Sequence, residues 1–84
     1  MSQKDITVLV QRYKQALDAG KTPYFDADEF SDLADYFDSA DDLDAAGKVI
    51  DTGLAIHPGS ITLLVKKAKL FVYDGQYEKA LNLF

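Results

Sequence analysis

The sequence contains no cysteine, no tryptophan, one histidine and only two prolines among its 84 residues. The absence of cysteine excludes disulfide frameworks, thiolate nucleophiles and zinc sites built on thiolates. We therefore take the cytoplasm, a reducing compartment, as the default location. The single histidine, His57, has no second His or Cys with which to share a metal. As the residue before Pro58, we expect it to interact with carbonyls at a helix end.

Basic residues are also scarce, because nine Lys and Arg stand against 14 Asp and Glu and give a net charge of −5. Nucleic acids and anionic lipids are bound mainly through Lys and Arg, so we predict neither as a partner. The apolar run at residues 6–10 is too short for a signal-peptide core or a membrane span. A chain of this length fits one small domain with a thin core.

Apolar residues recur every three or four positions along the chain, a spacing typical of amphipathic helices. The spacing predicts five helices and no sheet, the last of them over residues 77–84. Asp26 followed by Glu29 has the form of a capping box at a helix start. Pro58 ends a helix, and Ser60 can cap the next one.

The β-branched runs at residues 6–10 and 61–65 also suit strands. We favour helices there, because both runs continue without a breaker into helical spacing.

The strongest pattern is a repeat with a period of 34 residues. Six pairs of residues of matching size are separated by this interval: Phe30 with Leu64, Ala34 with Ala68, Phe37 with Phe71, Leu43 with Tyr77, Ala46 with Ala80, and Ile50 with Phe84. A fixed period of this length is the signature of a repeat architecture. The pattern therefore predicts two successive copies of one helical hairpin.

These residues resemble the tetratricopeptide repeat (TPR) family, whose helix–turn–helix unit has 34 residues. In residues 27–60 the family's eight characteristic positions hold residues of the expected size: Phe30, Leu33, Ala34, Phe37, Ala46, Ile50, Gly53 and Pro58. Residues 61–84 match as a second repeat, although Lys67 stands where the family usually has leucine. The resemblance implies an all-α fold of antiparallel helix–turn–helix repeats stacked as a short right-handed α-solenoid.

The same resemblance implies that residues 1–84 form a single TPR-like domain. Residues 1–26 fit an N-terminal helix or a degenerate half-repeat, and residues 61–84 fit a truncated second repeat. We expect the chain to be the N-terminal piece of a longer array, because its apolar tail would ordinarily be covered by another helix. That tail can self-associate.

In the TPR family, the first helix of each repeat lines a concave groove that holds peptides or protein segments. The resemblance assigns partner binding to eight residues here: Asp28, Ser31, Asp35, Asp38, Val65, Lys69, Val72 and Tyr73. Such a groove starts acidic and becomes apolar, which suits a segment carrying Lys or Arg beside an apolar anchor. Some family members bind a C-terminal carboxylate at these positions, but Asp35 would repel it.

Catalysis is not predicted. Nine of the 14 acids lie between residues 21 and 48, and we interpret them mainly as a solvated face. Their spacing does not form a calcium loop, and the glycines form no phosphate-binding loop. The cluster of Lys66, Lys67 and Lys69 is also interpreted as solvated.

We therefore expect no enzyme activity, no metal and no cofactor, and we predict a protein-interaction scaffold. The alternative is a structural cap or spacer for functional parts beyond residue 84.

Overall fold

A computed structural model describes residues 6–73, 75, 76, 79 and 82. The part of the chain so described is helical without strands, which confirms the all-α prediction and makes the strand alternative wrong. It forms four helices rather than about five: α1 (Ile6–Asp18), α2 (Ala27–Ser39), α3 (Leu43–Ile56) and α4 (Ile61–Tyr73). The predicted fifth helix over residues 77–84 lies outside the described residues, apart from residues 79 and 82.

Side-chain caps fix where the helices begin. The predicted capping box is confirmed, because Asp26 Oδ1 accepts from the Glu29 amide at 2.8 Å and Glu29 Oε1 accepts from the Asp26 amide at 3.1 Å. Ser60 Oγ accepts from the Leu63 amide at 3.3 Å, as predicted for α4. Asp42 caps α3 in the same way at 3.1 Å. Each cap stabilises its helix by about 1 kcal/mol.

The α2 helix is the centre of the arrangement. It packs against α1, α3 and α4, and α4 also packs against α3. No Cα atom of α1 lies within 8 Å of a Cα atom of α3 or α4. Helices α2 and α4 have 13 residues each and begin 34 residues apart, which is the period of the sequence repeat.

The helices share one hydrophobic core. Its buried members are Leu9, Val10, Tyr13, Phe25, Phe30, Leu33, Ala34, Phe37, Ala46, Val49, Ile50 and Leu63. The α1 helix joins this core through Tyr13, whose ring centroid lies 5.9 Å from that of Phe37. Burial raises the pKa of the Tyr13 phenol, so the side chain stays neutral at physiological pH.

The segment before α2 is held from two sides. Phe25 is buried, and the Arg12 guanidinium lies 4.9 Å from its ring centroid. His57 Nε2 donates a hydrogen bond of 2.8 Å to the Phe25 carbonyl, 32 residues earlier in the chain. The expectation that His57 interacts with carbonyls at its own helix end is therefore wrong for its side chain. Its ring instead ties the end of α3 to the start of α2.

Gly53 allows α3 to approach its neighbours closely. A Cβ atom placed there would lie 2.8 Å from Leu63 Cδ1 and 3.0 Å from Phe30 Cβ. Both distances are shorter than van der Waals contact. Gly47 on the same helix is different, because its Cβ would meet only Leu70 Cδ1, at an ordinary 3.8 Å.

We predict opposite effects for alanine at these two glycines. Gly53→Ala should lower the free energy of unfolding by about 1–2 kcal/mol, because overpacking outweighs the gain in helix propensity. Gly47→Ala should raise it by about 0.5–1 kcal/mol, because propensity acts there without a clash. Urea denaturation followed by circular dichroism measures both. Equal effects of the two substitutions would contradict the close packing at Gly53.

Phe37 is predicted to be a core anchor, since it is buried against Tyr13 and Tyr36. Phe37→Ala should lower the free energy of unfolding by about 3–5 kcal/mol through lost burial and the cavity left behind. Tyr24→Ala is the control, because that ring is largely exposed. A thermal melt unchanged by Phe37→Ala would refute this packing.

Candidate functional site

Helices α2 and α4 lie side by side, and a cavity of about 90 Å³ that is open to solvent lies between them. We call this cavity and its rims the α2–α4 groove. Its lining comes from three helices: Ala34, Asp35 and Asp38 of α2, Ala46 and Ile50 of α3, and Lys66, Lys69, Leu70 and Tyr73 of α4. Four of the eight predicted binding residues therefore lie together.

The floor of the groove is apolar. Ala34, Ala46 and Ile50 are at least 98% buried, and Leu70 of α4 completes this surface. Two of the four floor residues are alanines, whose side chains occupy little volume. The cavity exists because larger side chains are absent from these positions.

An ion pair joins the two rims of the groove. Lys66 Nζ donates to Asp35 Oδ1, and the Lys66 side chain is only 20% exposed. The ammonium group of Lys66 therefore compensates the negative charge of Asp35, the charge on which the predicted repulsion of a carboxylate depends. The prediction of a solvated lysine cluster is wrong for Lys66 on the same grounds.

A second ion pair stabilises the neighbouring helix contact. Lys67 Nζ lies 3.0 Å from Asp51 Oδ1 and so connects α4 to α3. At the position of Lys67, the TPR family that the sequence resembles usually has leucine. The Lys67 ammonium group reaches a carboxylate on the adjacent helix, so the position needs no apolar partner. The prediction of a solvated lysine is wrong here as well.

Asp38 and Lys69 leave unpaired charges on opposite rims. Both side chains line the groove, and in the described part of the chain neither forms an ion pair. Tyr73 stands beside Lys69 with 62% of its surface exposed. The groove therefore carries both signs of charge around an apolar floor.

The other four predicted binding residues do not line the groove. Ser31 is 9% exposed, so it is buried in the helix packing instead of lining the groove. Asp28 is exposed in the first turn of α2. Val65 and Val72 are exposed and lie seven residues apart on another face of α4.

A larger cavity of about 420 Å³ lies between α3 and α4. Its lining is Leu43, Asp44, Gly47, Lys48, Ile50, Asp51, Lys67, Leu70 and Phe71. Lys79 Nζ is 6.0 Å from the Phe71 ring centroid, so the Lys79 ammonium lies near this region. None of the predicted binding residues lines it.

The groove offers ionic contacts and apolar burial. Over the residues that the structure describes, no three His, Cys, Asp or Glu side chains are placed so that they could hold a metal ion. Nor does any helix within that same part have the length and apolarity needed to cross a membrane.

Comparisons with known proteins identify no relative. No protein-family model, curated protein or solved structure matches the chain.

Charge exchange tests the ion pair between the rims. Asp35→Lys should lower the free energy of unfolding by about 0.5–1 kcal/mol, because two ammonium groups then face each other. Adding Lys66→Asp should recover most of this loss, and 1 M salt should reduce both effects. Urea titrations of the two single variants and the double variant measure the coupling.

Asp32→Lys is the matched control, since Asp32 is exposed on the same helix outside the groove. If the change in the free energy of unfolding of the double variant equals the sum of the changes in the two single variants, the pair contributes nothing to stability.

Proposed function

We propose that the chain is a non-catalytic protein–protein interaction module that holds a segment of a partner protein in the α2–α4 groove. One observation carries this proposal. Asp35, Asp38, Lys69 and Tyr73 converge on a single open cavity from two helices that begin 34 residues apart. Charged rims around an apolar floor provide both orientation and burial for a peptide.

The repeat geometry supports a more specific architecture. We propose that residues 27–60 and 61–84 are TPR repeats stacked as a right-handed α-solenoid in the cytoplasm. Helices α2 and α4, of equal length, are then the first helices of successive repeats, and their direct contact fits that role. In this architecture α1 caps the exposed side of α2.

Tyr73 and Asp38 supply the recognition chemistry. Tyrosine offers a large rigid contact area with a polar end, and it is enriched among residues that dominate binding energy. Asp38 is available to a Lys or Arg of the partner, and the apolar floor is available to a neighbouring anchor. The proposed partner is therefore a segment that carries a basic residue beside an apolar one.

One observation favours the structural alternative. Both Lys66 and Lys67 use their charges to connect helices of the same chain. In the spacer alternative, the polar residues between the helices serve assembly alone, and recognition lies outside this domain.

An unbiased peptide selection distinguishes the two functions. Random dodecapeptides displayed on phage are selected on the purified chain, and the enriched sequences are titrated against variants. We expect Asp38→Lys and Tyr73→Ala to weaken their binding about tenfold each, because one removes the ionic contact and the other the aromatic contact.

Asp32→Lys and Tyr24→Ala are matched controls, since both side chains are exposed outside the groove. They should bind the enriched peptides like the parent chain. Failure to enrich any peptide, or equal binding to all variants, would contradict the proposal and favour the spacer.

A further inference from the structure

We infer that the α2–α4 groove selects a segment in which one short aliphatic residue lies between a basic and an acidic residue. This inference rests on the proposed function and specifies the partner of the same groove. It differs from the sequence expectation of a basic and apolar segment, because it adds an acidic residue and limits the size of the anchor.

The size of the cavity limits the anchor. An apolar cavity of about 150 Å³ accommodates benzene. The space here is about 90 Å³, and its floor is closed by Ala34, Ala46 and Ile50. Because the groove is open on its outer side, this volume limits only the part of a side chain that enters it: the branched carbons of Val, Ile or Leu enter completely, whereas an aromatic ring enters only in part. Alanine fills it poorly and leaves apolar surface in contact with water.

The unpaired charges of the groove determine which residues of the partner lie on either side of the aliphatic residue. A segment lying over the groove removes water from Asp38 on one rim and from Lys69 on the other. Each dehydrated charge must then be compensated by an opposite charge of the partner. Asp35 and Lys66 need no opposite charge from the partner, because they neutralise each other. A partner with basic residues alone would leave Lys69 facing a like charge.

The spacing of the flanking charges follows from an extended segment. Side chains two residues apart point to the same face of an extended chain. With the aliphatic side chain directed at the floor, charged residues two positions before and after it also face the groove. Their long side chains can reach opposite rims. Which charge comes first depends on the direction in which the segment runs.

Four synthetic heptapeptides test the inference. The first is acetyl-Thr-Lys-Thr-Leu-Thr-Glu-Thr-amide, and the second exchanges its Lys and Glu. The third and fourth replace the Leu of the better binder by Ala and by Phe. Each is titrated into the ¹⁵N-labelled 84-residue chain, and amide chemical shifts give the binding site and the dissociation constant.

We expect one charge order to bind better than the other and to shift the amides around Ala46 and Leu70. Replacing Leu by Ala or by Phe should weaken binding at least about fivefold, because the cavity is then underfilled or overfilled. The double variant Asp38→Lys, Lys69→Glu should reverse the preference between the two charge orders. Both residues are exposed, so circular dichroism of this variant should match the parent.

A Phe peptide that binds as well as the Leu peptide would overturn the size limit. A double variant that keeps the parent's order preference would overturn the charge rule, and so would the absence of any binding by the Leu peptides.

These failures are distinguishable from failure of the proposed function. If the unbiased selection yields peptides that depend on Asp38 and Tyr73 but lack the flanked aliphatic residue, the groove binds partners and only this inference fails.

Discussion

The packing of this domain depends on the contact between Phe30 of α2 and the backbone of α3 at Gly53. Phe30 is fully buried, and its ring also lies 5.6 Å from Phe25 and 6.0 Å from His57 by centroid distances. One side chain therefore connects α2, α3 and the segment that precedes α2. The absence of a side chain at Gly53 lets Leu63 of α4 enter the same contact. A domain this small has few other places to bury apolar surface, so this contact sets the positions of three helices.

The groove follows from that packing. Leu63 fixes the start of α4 against α3, and α4 must then pass beside α2, where Lys66 reaches Asp35. Because Ala34 and Ala46 are small, the helices meet at this point without filling the space between them. The ion pair contributes at most about 1 kcal/mol to stability, since Asp35 is largely exposed. Its stronger effect is on the surface charge, because it removes one carboxylate and one ammonium from those available to a partner.

The sequence predicted the features that depend on neighbouring residues. The capping box of Asp26 and Glu29 and the cap at Ser60 are local patterns, and the structure has both. The ion pair of Asp35 with Lys66 was missed because it joins residues 31 positions apart. His57 was misassigned for the same reason, since its acceptor belongs to a distant segment. The burial of Ser31 depends on the helix packed beside it, which helical periodicity alone does not specify.

The net charge of the whole chain and the local charge of the groove act at different distances. A charge of −5 produces a field that attracts basic partners before contact and weakens with salt. Within the groove, Asp38 and Lys69 present both signs of charge beside the apolar floor. Under the proposed function, acidic residues outside the groove would govern the association rate, whereas these two charges and the floor would govern which segment remains bound. Charge reversals at Asp32 and at Asp38 alter the net charge equally, so only the second tests recognition.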